Sequence, residues 1–347
     1  MRIAVLGAGA VGPAAAALAA SRGHAVTLWS PSGRGTAGLA DSIIAEGALD
    51  GRFPLRIARD LADALAGAEA ALLAVPAYAF PALLPLIAER LAQPLLITPA
   101  ASLAPLALAA MLESRGRAAP PIGAMSTTPV TARRLAPDRV RILGIRAAVD
   151  MAAVPETAAP TMGTLATALF GHASPLGGSV VQAAIGNANP IIHAALALTN
   201  TTRIEAAEHW PQYGMLTPAT CRLMLAMAAE RATLACALGV AVPSLEQSLH
   251  RATGVPHGPL HAMAAAIAQG GAEVPGPTDP ASRYITEDVP YGLAVALWLA
   301  ARQGVAMPVT DAVVTALEAL WGRDLRANPL LEGLRLGADG SAGAARL

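Results

Sequence analysis

Short, unbroken apolar runs punctuate the first half of the chain. They begin at Arg2-Ile3-Ala4-Val5-Leu6 and recur at Ala25–Trp29, Ala70–Val75 and Leu95–Thr98. Runs of this length without polar alternation predict strands covered on both faces. Alanine- and leucine-rich stretches lie between them, the first being Pro13-Ala14-Ala15-Ala16-Ala17-Leu18-Ala19-Ala20, a strong helix former with proline near its first turn. Strands alternating with helices predict a doubly wound parallel sheet. Beyond about residue 180 the strand pattern fades. Thr220–Leu238, Gly292–Gln303 and Thr310–Trp321 read as helices. The expected class is therefore α/β, with the sheet domain over 1–180 and an all-helical second domain over 181–336. The small and polar residues of 337–347 predict a loose tail.

The first apolar run ends in Gly7-Ala8-Gly9-Ala10-Val11-Gly12, glycines at G-x-G-x-x-G spacing between a strand and a helix. Gly7 permits a tight turn, Gly9 lets backbone approach a pyrophosphate, and Gly12 allows close helix–strand packing. The helix start offers free N–H groups to the anion. Gly7, Gly9, Ala10, Val11 and Gly12 are thus the expected cofactor loop of a Rossmann sheet. Val75, Pro76 and Ala77, closing the third run, are expected under the nicotinamide side. The second run closes on Trp29-Ser30-Pro31-Ser32-Gly33-Arg34 with no carboxylate. A carboxylate there would read a ribose 2′-hydroxyl and repel a 2′-phosphate, whereas Ser30, Ser32 and Arg34 suit a phosphate. NADP(H) is expected over NAD(H).

Composition narrows the field. Lys+Arg and Asp+Glu both number 24, so no net charge favours nucleic acid or an anionic membrane. All 24 basic residues are arginine. The absence of lysine excludes lysine Schiff-base chemistry and the Walker-type phosphate loop. Ala70–Ala88 and Leu91–Leu112 are apolar enough to nominate membrane spans, but three prolines interrupt each. The two cysteines, Cys221 and Cys236, read as buried thiols in a reducing compartment. With no secretory signal evident, a cytoplasmic location is expected.

Histidine is the natural acid–base group in a lysine-free chain. His257 and His261 stand four apart, but no third ligand accompanies them, and no metal is expected. His193 sits in Asn187-Ala188-Asn189-Pro190-Ile191-Ile192-His193, where Asn189 reads as the N-cap of a helix starting at Pro190. Far downstream, Arg283-Tyr284-Ile285-Thr286-Glu287-Asp288-Val289-Pro290-Tyr291-Gly292 gathers a cation, two acids and two tyrosines in a charge-poor chain. These residues leave more than one reading open, including a hydroxy-acid dehydrogenase using this histidine and a non-catalytic NADP(H) sensor.

Asn189–His193, Asn200-Thr201-Thr202-Arg203-Ile204-Glu205 and Arg283–Gly292 together resemble the hallmark segments of the opine (octopine/nopaline) dehydrogenase family. The resemblance spans nearly the whole chain. It implies reversible, NAD(P)H-dependent condensation of an amino acid or amine with an α-keto acid. His193 would be the catalytic histidine and Asp288 its partner. Arg283 would hold a substrate carboxylate, with Asn189 and Tyr291 as further substrate contacts. In Met125-Ser126-Thr127-Thr128-Pro129 the family tends to place an acid where Met125 stands. Thr127 and Thr128 remain as expected contacts, and recognition of the amine is expected to differ. A homodimer, common among similar enzymes, is also expected.

Overall fold

A computed structural model describes residues 1–270 and 274–336. The expected loose tail over 337–347 lies outside the described residues. The chain divides into two compact units, one comprising residues 1–184 with 333–336, the other Ile185–Glu332.

The first unit contains strands β1 (Arg2–Leu6), β2 (Ala25–Trp29), β3 (Ser42–Gly47), β4 (Gly51–Pro54), β5 (Arg56–Ile57), β6 (Ala70–Leu73), β7 (Leu95–Ile97), β8 (Ile122–Met125), β9 (Val130–Ala136), β10 (Arg139–Ile145) and β11 (Met151–Val154). Its helices are α1 (Val11–Ser21), α2 (Leu61–Leu65), α3 (Phe80–Arg90), α4 (Ala104–Glu113) and α5 (Ala159–Phe170). Seven strands form a sheet in the order β11-β8-β7-β6-β1-β2-β5. All its pairings are parallel except β11 against β8. The strand order reverses at β1, which has β2 on one side and β6 on the other. A ligand crevice is expected there, beyond the carboxyl ends of the strands. The two membrane-like stretches resolve into β6, α3, β7 and α4, broken at prolines. Among the described residues no helix is long and apolar enough to cross a membrane.

A second sheet, β4-β3-β10-β9, was not evident from apolar runs. β9 alternates half-buried and β10 mainly buried with exposed positions, and arginines occupy much of the exposed set (Arg133, Arg139, Arg141). Such strands carry half the apolar signal of a doubly covered one.

The second unit is helical: α6 (Val180–Gly186, which crosses the division), α7 (Asn189–Thr199), α8 (Thr201–Glu205), α9 (Pro218–Ala237), α10 (Leu245–Thr253), α11 (Leu260–Gln269), α12 (Arg283–Thr286), α13 (Ala294–Gln303) and α14 (Pro308–Trp321). A π turn over Val289–Leu293 leads into α13. α7 is buried from Pro190 through Ala197 and forms the axis of the unit. It packs with Trp210, Met224, Met227 and Leu317 in a core separate from that of the first unit.

Several arginines bond main-chain carbonyls. Arg117 donates to Ala88 and Leu91, Arg146 to Thr128, and Arg231 to Pro243 and Asn187. Burial pushes the Arg231 guanidinium down to about 10. Of the two thiols only Cys221 is buried, where it is pushed up to about 11; Cys236 is exposed. The expectation of two buried thiols fails because Cys236 falls on the outer face of α9.

Candidate active site

In the first unit, the loop after β1 is fixed by steric necessity. Gly7 has φ +124°, and a Cβ there would run into the Ala74 carbonyl after β6. A Cβ at Gly12 would strike the Gly7 carbonyl, so α1 starts directly against the turn. A Cβ at Gly9, by contrast, would meet nothing within 4 Å among the described residues. Ala10 precedes α1 and offers no side-chain cap, which leaves the first-turn N–H groups of Val11 and its neighbours for a ligand. Crowding beneath the loop and open space above it suit a dinucleotide pyrophosphate. Val75 and Ala77 are buried at the end of the adjacent strand, and Pro76 is exposed between them.

After β2, Ser30 is buried, and its Oγ accepts from the Gly35 N–H. It shapes the loop, while Ser32 and Arg34 are exposed. Among the described residues Arg34 forms no ion pair, which leaves its fork open to an anion. Met125 is fully buried at the end of β8. Beyond it the Thr128 hydroxyl donates to Val130 O, and Thr127 O accepts from Thr98. These threonines shape the turn between β8 and β9.

In the second unit, residues 95 apart in sequence meet. The His193 Nδ1–H donates to Asp288 Oδ2 at 2.7 Å, with both side chains almost wholly buried. Tyr284 stacks on the imidazole at 3.7 Å and 10° between planes, and its hydroxyl donates to Gln212 Oε1. Burial, reinforced by the Asp288 charge, pushes the Tyr284 phenol upward, so it remains protonated. Arg283 is 57% exposed, and its Nε lies 3.5 Å from Glu287 Oε2 and 4.0 Å from Asp288 Oδ2. The imidazole is thus held on one edge by a carboxylate and on one face by a phenol.

Local sequence explains this geometry. α7 begins at Asn189, one residue before the expected start, so Asn189 is its first residue and not its N-cap. The Asn187 Oδ1 accepts the Asn189 N–H at 3.0 Å and takes over the capping role. Asn189 itself is exposed. The residue after Asp288 begins the π turn. Pro290 has no N–H to continue the helical ladder, and its carbonyl accepts from the Asn328 amide at 2.9 Å. Tyr291 is partly exposed, with its phenol pushed upward by burial and the Glu287 charge. Gly292 faces α7 so closely that a Cβ would collide with the Pro190 ring.

Tyr284 and Gln212 were not anticipated as partners of the histidine. Tyr284 lies inside the quoted acidic segment, so its composition carried a signal; nothing local marks Gln212.

Comparisons with known proteins agree with this division. Residues 176–321 match the model of the NAD/NADP octopine/nopaline dehydrogenase alpha-helical domain. Residues 2–101 match that of the NAD-dependent glycerol-3-phosphate dehydrogenase N-terminus. An opine dehydrogenase from Arthrobacter sp. (strain 1C) is 28% identical over 332 residues, covering 93% of this chain and 91% of that protein. Octopine dehydrogenase solved with NADH and agmatine superposes with TM-score 0.78 at 20% identity, over 93% of this chain and 90% of that one. Yersinopine dehydrogenase bound to NADP+ gives TM-score 0.73 at 17% identity, over 96% and 94%. The fold and its glycine loop define an NAD(P)-binding dehydrogenase. Residues 176–321 thus resemble the helical domain of the octopine/nopaline dehydrogenases, and the chain is similar to an opine dehydrogenase over nearly its whole length.

Proposed function

We propose that this protein condenses the amino group of an amino acid or amine with an α-keto acid and reduces the product to a secondary amine, reversibly, with NADP(H) favoured over NAD(H). The buried His193–Asp288 hydrogen bond within the matched helical domain carries this reading. The octopine dehydrogenase relatives solved with agmatine, L-arginine and pyruvate support the substrate classes. Gly7, Gly9, Ala10, Val11 and Gly12 would hold the pyrophosphate, Ser32 and Arg34 the 2′-phosphate, and Val75–Ala77 the nicotinamide end. Bound NADPH supplies the hydride.

The chain's own residues handle protons and orientation. Asp288 accepts from Nδ1 and so leaves Nε2 as the working nitrogen. Amine and keto acid first add to form a carbinolamine. Protonated at Nε2, His193 delivers that proton to the carbinolamine hydroxyl, which leaves as water as the C=N bond forms. The iminium nitrogen keeps its hydrogen, so hydride addition at carbon gives the neutral secondary amine directly, and the ring regains its proton from solvent. Overall, amine, keto acid, NADPH and a proton yield secondary amine, NADP+ and water. Arg283 would pair with a substrate carboxylate, and Asn189 and Tyr291 would contribute polar contacts.

A matrix of amino acids against keto acids, read by NADPH oxidation, tests the function. Oxidation is expected only when both substrates are present; oxidation with a keto acid alone would favour alcohol formation and overturn the reading. His193→Ala is expected to lower kcat by about 10²–10⁴-fold, with NADPH affinity by calorimetry retained.

A further inference from the structure

Arg134 lies in β9, outside every motif discussed so far. Its neighbours on the same strand face are Ala132 and Ala136, so a lone cation sits among small residues. Nε donates to Ala136 O at 2.9 Å. Nη1 donates to Ala8 O at 2.9 Å and Gly9 O at 3.0 Å. Nη2 donates to Gly35 O at 2.9 Å and to Pro137 O. A guanidinium has five N–H donors, and here each has its own carbonyl. No carboxylate lies within ion-pair distance of it among the described residues. Burial pushes the group downward from its ordinary value, yet far from neutrality at physiological pH.

The carbonyls belong to different loops. Ala8 and Gly9 lie in the glycine loop after β1, and Gly35 lies in the loop after β2 that carries Ser32 and Arg34. A separate contact joins the same two loops: a Cβ at Gly35 would stand 2.8 Å from the Ala8 Cβ and 2.5 Å from its carbonyl. The loops touch where only glycine fits, and one side chain grips both. In turning their carbonyls toward Arg134, Ala8 and Gly9 hold the glycine-loop main chain in a single orientation.

We infer that Arg134 is a nucleotide-positioning residue, a clamp that fixes the pyrophosphate loop and the adenosine-ribose loop relative to one another. It acts through those loops and not on the substrates. The fork is essential: lysine would keep the charge but offers three donors from one point.

This inference rests on nucleotide binding by the first unit. Titration calorimetry of NADPH and NADH with wild type, Arg134→Gln, Arg134→Lys and Gly35→Ala tests it, alongside melting curves without nucleotide. Both Arg134 variants are expected to weaken binding of each nucleotide at least tenfold, with lysine giving no rescue. The loss should appear in Kd and in KM for NADPH more than in kcat. Gly35→Ala, which spreads the loops while leaving Arg134 intact, should weaken binding in the same direction. It decides the matter alone if the Arg134 variants do not fold. Wild-type affinity in Arg134→Lys or Gly35→Ala would overturn the clamp. So would a lowered melting midpoint with unchanged Kd, the mark of a purely structural role. Wild type binding neither nucleotide would overturn the underlying assignment, visible without any variant.

Discussion

His193 and Asp288 were legible as residues before they were visible as a pair. Each stood out by its surroundings: an imidazole just after an Asn-Pro helix start, and an acid in a cluster of charge within a charge-poor chain. The 2.7 Å bond between them depends on tertiary packing that no local pattern encodes. Ser30 shows the opposite limit. A serine at the end of β2 fits a phosphate ligand, but its hydroxyl already accepts from Gly35 inside the loop. Local capping competes for short polar side chains, and sequence cannot rank the partners. Asp288→Asn should preserve the packing while disturbing the tautomer. We expect kcat to fall by about 10²–10⁴-fold with little change in melting temperature, measured by steady-state kinetics and thermal denaturation. The two thiols should also separate. One equivalent, Cys236, is expected to react rapidly with an aromatic disulfide reagent in native protein, and the second, Cys221, only on unfolding. Rapid reaction of both would contradict the burial of Cys221.

Among the elements, those covered on both faces were the easiest to read. β1, β2, β6 and β7 all lie within the apolar runs that predicted them, because a strand buried on two sides cannot tolerate polar alternation. β9 and β10 were missed for the converse reason, and Arg134 was missed with them. The π turn was hidden too. The helix expected from Gly292 is preceded by Val289–Leu293 in a wider winding, set where Pro290 interrupts the ladder and its carbonyl accepts from the Asn328 amide. That turn begins immediately after Asp288 and rests on the Pro190 ring, three residues before His193. Gly292→Ala would force the two elements apart. We expect a stability loss of about 1–3 kcal/mol from overpacking, with a fall in kcat larger than stability alone explains. Urea denaturation and kinetics on the same preparation check this.

For the whole molecule, two separate cores predict behaviour that one would not. Cooperative unfolding is not guaranteed when the units share no core. Differential scanning calorimetry is expected to resolve two transitions, with NADPH raising the one that belongs to the first unit. Acid should act on that unit through His172, a fully buried imidazole whose Nε2 has no partner among the described residues. Burial pushes its folded pKa below the ordinary value near 6.5. Above that value both states are neutral and stability is complete. As pH falls below it the unfolded chain takes up the proton first, and stability declines until the folded pKa is passed. The melting temperature should therefore fall more steeply between pH 7.5 and 5.5 in wild type than in His172→Leu.

The arginines that grip main-chain oxygens are exempt from this titration. Acid below the ordinary carboxylate range neutralises Asp63, whose carboxyl the Arg59 N–H and the Arg56 guanidinium hold low, and so dissolves its pair with Arg56, but a peptide oxygen has no proton to gain in that range. The loops pinned at Arg117, Arg146 and Arg134 should keep their contours in acidic buffer, and loss of shape there should follow the melting of the unit as a whole.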